Sequence, residues 1–241
     1  PSVVKAKCLR YFERPESLHL RKENSLMDTE LKHLNMYSDP RGVHALDKLP
    51  PCQNACPIDQ DVREYINLIA QDRLDDAARL IRSKNPLSGI CGRVCAHPCE
   101  NDCRRGAVDQ SLSIRRLKRY VMEFAENPYP VMQTKTSRAK KVAVIGSGPA
   151  GLTAAHDLAM EGYEVIVFEK SEDFGGSVRW GVPTYRLPIE VIHQDVDAIR
   201  RLGVTFRNKM ALGRDFTIQS LEEDGVESVL LATGLTESRS L

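Results

Sequence analysis

From Asp61 onward the apolar positions fall at helical spacing. Val62, Tyr65, Ile66 and Ile69 stand at i, i+3, i+4 and i+7, one face of an amphipathic helix. Leu74, Ala77, Ala78 and Ile81 repeat the template, and "NPL" at 85–87 stops it, because a proline pushes the preceding residue out of the helical region. A third helix is predicted where Ile114, Leu117, Val121 and Phe124 recur at three- and four-residue steps. After a polar, proline-bearing stretch the period changes. "KVAVIGSGPAGLTAAHDLAMEGYEVIVFEK" reads as strand, glycine turn, helix and strand, the make-up of one βαβ unit. A later apolar run, "VESVLLATG" (226–234), is a further buried strand.

These patterns predict an α+β chain in four parts. Residues 1–49 form an N-terminal extension with mixed charges and no sustained period. A small α-helical domain occupies 50–125, a linker 126–140, and a Rossmann-like α/β domain 141–241. The helical unit holds little apolar material and is expected to be stapled by a metal.

Composition narrows the function. With 34 Lys and Arg against 33 Asp and Glu, the net charge of +1 argues against nucleic acid or a membrane surface as the main partner. No apolar run reaches the ~18 residues a membrane span needs. The N-terminus lacks the apolar core of a signal peptide, so a cytoplasmic address is expected. There, the 7 cysteines point to metal or redox chemistry before disulfides. Cys8 stands alone and receives no role.

The other cysteines cluster. "CQNACP" places Cys52 and Cys56 before the first helix, and "CGRVCAHPCENDC" places Cys91, Cys95, Cys99 and Cys103 after the helical hairpin, whose closure would bring both groups together. Structural zinc sites usually carry C-x2-C pairs, and none occurs here. Iron–sulfur clusters gather four thiolates from short loops, and the proline after Cys56 has precedent in such runs. His97 and Pro98 argue for a loop wrapping a cluster over one continuous helix.

Gly146, Gly148 and Gly151 form G-x-G-x-x-G directly after "VAVI". The first permits the turn, the second lets a pyrophosphate approach the backbone, and the third allows close helix–strand packing. Phosphates would rest on the helix N-terminus, where free N–H groups favour negative charge. Glu169, at the end of the second strand, is placed to accept from ribose hydroxyls. The loop alone does not separate FAD from NAD(P). Gly175 and Gly176 read either as plain loop or as a second backbone approach to the cofactor, and His156 and Met160 read as packing residues.

"CQNACPIDQDVREYI", "NPLSGICGRVCAHPCENDC", "VAVIGSGPAGL", "FEKSEDFGG" and "YRLP" together resemble the N-terminal half of the glutamate synthase small subunit family, over roughly residues 50–240. That family includes matching domains of dihydropyrimidine dehydrogenase and of bifurcating NADH/ferredoxin transhydrogenases. The resemblance implies an α-helical iron–sulfur domain before an FAD domain, with electrons passing between NAD(P)H, FAD, [4Fe-4S] clusters and a partner centre. It puts Cys52, Cys56, Cys95, Cys99 and Cys103 on cluster-ligand positions. It puts Gly146, Ser147, Gly148, Pro149, Ala150 and Gly151 on the FAD pyrophosphate loop, with Glu169 as the ribose acid beside Lys170. Gly175, Gly176 and Ser177 match a second FAD loop, Arg186 a flavin-contacting arginine, and Leu212 a cofactor contact by its spacing after "LGV".

Departures qualify the match. The family's C-x2-C before Cys52 is replaced by "GVHALDKLPPC", and a ligand position in the closing helix falls near Lys118, an ammonium. Cys91 would replace it, so one [4Fe-4S] cluster held by four cysteines is expected; a second would need His44, Asp47 or a partner residue. No second glycine fingerprint follows "LLATG", so NAD(P)H is expected to bind outside this chain, in a complex with other subunits. No acid–base catalytic residue is named. The contrasting reading is a non-enzymatic, metal-stapled docking module holding a structural nucleotide.

Overall fold

The computed structural model describes residues 49–130 and 134–235. Cys8, His44 and Asp47 lie outside the described residues.

The N-terminal unit is helical. Helix α1 (Pro51–Asn54) carries Cys52. Helix α2 (Val62–Ala70) starts at Asp61, whose carboxylate accepts from the Glu64 N–H, and α3 (Leu74–Arg82) follows. Helix α4 (Ser88–Val94) carries Cys91 and ends on Cys95, α5 (Pro98–Asn101) carries Cys99, and a 3-10 turn (Arg104–Ala107) starts after Cys103. Helix α6 (Ile114–Phe124) closes the unit. Its core joins Val62, Tyr65 and Leu68 of α2 to Ala77, Ala78 and Ile81 of α3 and Ile114, Val121 and Met122 of α6.

One helix faces differently from its pattern. Phe124 was expected inside, but it is 63% exposed and stacks on Tyr120, ring centroids 4.9 Å apart. Met122 and Ala125 take the inner face at that end.

The second unit is a parallel sheet. Strand β1 (Lys141–Ile145) leads into α7 (Pro149–Met160) and β2 (Glu164–Phe168), followed by α8 (Ser177–Gly181), α9 (Ile189–Arg200) and β3 (Thr205–Arg207). Helix α10 (Ile218–Glu223) and β4 (Val226–Leu231) complete it. The strand order is β3-β2-β1-β4, every pair parallel, with Val144 registered against Val167 and Leu230. Alternate residues face opposite sides. Val144, Val165 and Val167 pack under α7 and α9, while Ala143, Ile145 and Phe168 pack with Phe216 and Leu221 of the other layer.

The two units share a core. Leu87 and Ile90, inside the span 50–125 expected as the helical domain, pack into the cluster under α7 and α9. The stretch expected as a linker also adheres to both: Tyr129 lies over the Arg82 guanidinium at 4.9 Å, and Lys135 N–H donates to the Met160 carbonyl at 2.9 Å.

Candidate functional site

The glycine loop turns where β1 ends against β4. Gly146 has φ +107°, and a Cβ there would stand 2.3 Å from the Ala232 carbonyl oxygen. A Cβ on Gly151 would stand 2.0 Å from the Gly146 carbonyl oxygen, so α7 can close onto the loop only with glycine there. Gly148 is different. Its missing Cβ points into open space, and no side chain caps the N-terminus of α7, which begins at Pro149 and Ala150. An open cradle at a helix start with uncapped N–H groups fits a pyrophosphate.

Ser147 ties the loop down. It is fully buried; its N–H and its hydroxyl both donate to Glu169 Oε2, at 2.9 and 2.6 Å. The Ser171 N–H donates to Glu169 Oε1 at 2.9 Å. Burial acts to raise the Glu169 pKa, but these donors outweigh it and hold the carboxyl below its ordinary value. A carboxylate has about four acceptor sites. Backbone and side-chain donors of Ser147 and Ser171 together engage both of its oxygens.

The second glycine pair backs onto the first. The Gly175 N–H donates to the Ser147 carbonyl at 3.1 Å, and a Cβ on Gly176 would stand 2.6 Å from the Gly148 Cα. The structure thus brings together Gly146, Ser147, Gly148, Gly151, Glu169, Gly175 and Gly176. Ser177 and Lys170 are exposed at the rim. Arg186 is exposed on a turn closed by its N–H to the Pro183 carbonyl, next to Tyr185, which is 89% exposed. Leu212 lies apart from this network, packed beside the cluster of Phe168 and Phe216.

The cysteine region is built by α1 packing on α5. The six cysteines there are free thiols, Cys99 buried and the others partly so. Burial, with Cys56 and then Cys95 nearby, pushes the Cys99 thiol up to about 11. Burial also raises Cys52, whose thiol neighbour is Cys103, and Cys91, which has Asn85 and Asp195 among its neighbours as well as Cys95. Cys99, Cys56 and Cys52 all lie near Tyr65, and Cys52 packs against the same core cluster that holds Cys99. His97, in the left-handed region at φ 48°, breaks the chain between α4 and α5, and its N–H donates to Cys95 Sγ at 3.3 Å. Arg115 reaches from α6 to the Cys95 carbonyl at 3.0 Å.

Among the described residues, no three His, Cys, Asp or Glu side chains stand close enough to share one metal ion. A four-iron cluster sets another requirement, since each thiolate binds a different iron. Soft donors gathered from two short segments, with an N–H aimed at one sulfur, fit such a cluster.

Residues 45–129 match the family model described as dihydropyrimidine dehydrogenase domain II, 4Fe-4S cluster, and residues 144–193 match that of an NAD(P)-binding Rossmann-like domain. These matches are consistent with the glutamate synthase small-subunit-like family. Proteins similar to this chain include the NADP(+)-dependent formate dehydrogenase subunit beta of Moorella thermoacetica, 39% identical over 78% of this chain and 30% of that protein. The NADPH-Fe(3+) oxidoreductase subunit beta of Geobacter sulfurreducens is 38% identical over 88% of this chain and 32% of its own. The NAD-dependent dihydropyrimidine dehydrogenase subunit PreT of Escherichia coli is 36% identical over 79% and 47%. The chain thus spans less than half the length of these relatives. No helix among the described residues is long and apolar enough to cross a membrane.

Two buried charged groups escaped the sequence reading. Asp195 of α9 is fully buried and accepts from the Ile90 N–H at 2.9 Å, the Gly89 N–H at 3.3 Å and Arg82 Nη1 at 3.3 Å. A signal existed. Asp195 interrupts the apolar stripe Val191, Ile192, Val196 and Ile199, and Arg82 follows Ile81 on the inner face of α3.

Proposed function

We propose that this chain is the cluster- and dinucleotide-binding part of an NAD(P)H-linked flavin and iron–sulfur oxidoreductase, acting in the cytoplasm within a larger complex. One observation carries the reading: an open glycine cradle at Gly148 and a gathered thiol loop lie on two units that share a core. Bound FAD would supply exchange between hydride and single-electron chemistry, and a [4Fe-4S] cluster would supply single-electron carriage.

The residues contribute as follows. The backbone at Gly148, Pro149 and Ala150 and the start of α7 hold the pyrophosphate, with Gly146 and Gly151 keeping the turn tight. Glu169, at the end of β2, is the acceptor assigned to a ribose hydroxyl. Gly175, Gly176 and Ser177 line the second approach, with Lys170 and Arg186 at its edges, while Leu212 stays with the Phe168 and Phe216 cluster. Cys56, Cys95 and Cys99 ligate as thiolates, so cluster binding must expel the protons that burial retains on Cys99. Cys52, Cys103 and Cys91 remain the further candidate ligands. The nicotinamide nucleotide and the terminal acceptor are assigned to other parts of the assembly.

A second reading gives the glycine loop to NAD(P) itself; the family model matched at 144–193 favours it. Anaerobic purification of the complex, with flavin, iron and sulfide analysis, separates the cases. Tightly held FAD with iron and sulfide supports the proposal. Cluster iron without flavin favours the second reading, and a colourless protein overturns both.

A further inference from the structure

Helix α9 touches both candidate sites. On the dinucleotide side, Ile192 Cγ2 stands 2.9 Å from where a Cβ on Gly175 would be, so the helix packs directly against the second glycine loop. One turn later Asp195 crosses to the other unit. Its Oδ2 accepts from the Ile90 N–H, and its Oδ1 from the Gly89 N–H and Arg82. Those N–H groups open α4, the helix that carries Cys91 and ends on Cys95.

The grip is reinforced from the helical side. Arg82 Nη1 also donates to Ser88 Oγ at 3.1 Å, and the Tyr129 hydroxyl reaches Gln194 Oε1 at 3.4 Å, beside Asp195. The Arg82 and Asp195 side chains are 3% and 0% exposed. Burying an ion pair is a poor way to gain cohesion, because desolvation offsets most of the attraction. What it gives is direction. Apolar side chains in this seam would let α4 slide along α9, whereas a carboxylate holding two adjacent N–H groups and a guanidinium accepts one register only.

We propose that Asp195 is a positioning residue that locks the cysteine loop to the second glycine loop, fixing the separation across which electrons pass between dinucleotide and cluster. This rests on the reading given under Proposed function. The rigid path runs Gly175, Ile192, Asp195, Ile90 and down α4 to Cys95. Electron transfer between fixed centres falls steeply with distance, so a seam that slips costs rate even when both centres remain bound.

The test uses the complete holoprotein with Asp195→Asn, and a double variant, Arg82→Met with Asp195→Leu, that removes both charges and should fold where a single change does not. Four readouts are taken: flavin and iron content, the spectrum of each centre alone, the magnetic interaction between the two centres in partly reduced protein, and hydrogen exchange at Gly89 and Ile90. The expected result is retained content and unchanged individual spectra, with weakened interaction and faster exchange at those two amides. The double variant should show the same loss. An interaction between centres as strong as in the wild type, in a variant whose Gly89 and Ile90 amides exchange freely, overturns the inference. A wild type lacking either centre overturns the underlying reading and the inference with it.

Discussion

The Ser147 hydroxyl donates to Glu169 Oε2 at 2.6 Å, joining the glycine loop to the end of β2. The same serine accepts from the Gly175 N–H, through its carbonyl at 3.1 Å and its hydroxyl at 3.3 Å. Three chain segments that would line a dinucleotide thus converge on one buried side chain. Ser147→Ala should therefore cost about 1.5–3 kcal/mol, the scale of a buried hydrogen bond to a charged group. It should also weaken dinucleotide retention, although the serine side chain faces away from the open cradle. Thermal unfolding with cofactor analysis checks this, and unchanged values in both would refute the hub role.

The pH dependence of Glu169 follows from its donors. Its pKa lies below the ordinary 4.5 because the hydrogen bonds from Ser147 and Ser171 overcome the effect of burial. A depressed carboxyl pKa contributes stability that is complete above the unfolded value and is lost as pH falls through the folded one. The stability gap between wild type and Glu169→Gln should hold at neutral pH and shrink below about pH 4.5. Denaturant titrations across that range measure it. A gap independent of pH would mean that the charge is not what the loop holds.

Two glycines of one fingerprint should fail in different ways. A methyl on Gly151 meets the Gly146 carbonyl at 2.0 Å, so Gly151→Ala must push α7 off the loop. Overpacking of this kind costs about 1–3 kcal/mol. A methyl on Gly148 meets nothing within 4 Å, and φ there is −69°, so Gly148→Ala should leave stability within about 0.5 kcal/mol. It should still lose the dinucleotide, because the methyl stands where a phosphate approaches. Full occupancy in Gly148→Ala would contradict the cradle.

How far the sequence reaches depends on what each feature needs. The period of Val62, Tyr65, Ile66 and Ile69 depends on one helix face, and the fingerprint at Gly146–Gly151 on one turn, so both were legible. Cysteine convergence was half legible: hairpin closure was expected, but the approach of Cys52 to Cys99 needs the packing of α1 on α5. Periodicity says that a residue faces inward and not which element covers it. The span 50–125 was therefore drawn as one domain although its Leu87 and Ile90 belong to the core under α7 and α9, and Phe124 was placed on an inner face that Met122 and Ala125 take. Arg82 and Asp195, 113 positions apart, are each an oddity in a helix until the fold brings them together.

The burial of Cys99 makes the sharpest demand on the cluster. Cys99 is 8% exposed and packs within the helical core, with Cys56 and Cys95 as its thiol neighbours. Cys91, on α4, has Asn85, Lys118, Cys95 and Asp195 around its thiol. Cys99→Ala should strip most of the iron and sulfide and loosen the helical unit, because ligand binding is part of its folding energy. Cys91→Ala removes one sulfur from the domain seam and should leave iron content nearly intact, with a stability loss of about 1 kcal/mol typical of a point change. Iron, sulfide and the visible spectrum of both variants, purified anaerobically, decide the matter. If Cys91→Ala loses the cluster as completely as Cys99→Ala, then Cys91 is the fourth ligand and α4 must turn that sulfur away from Asp195 when iron binds.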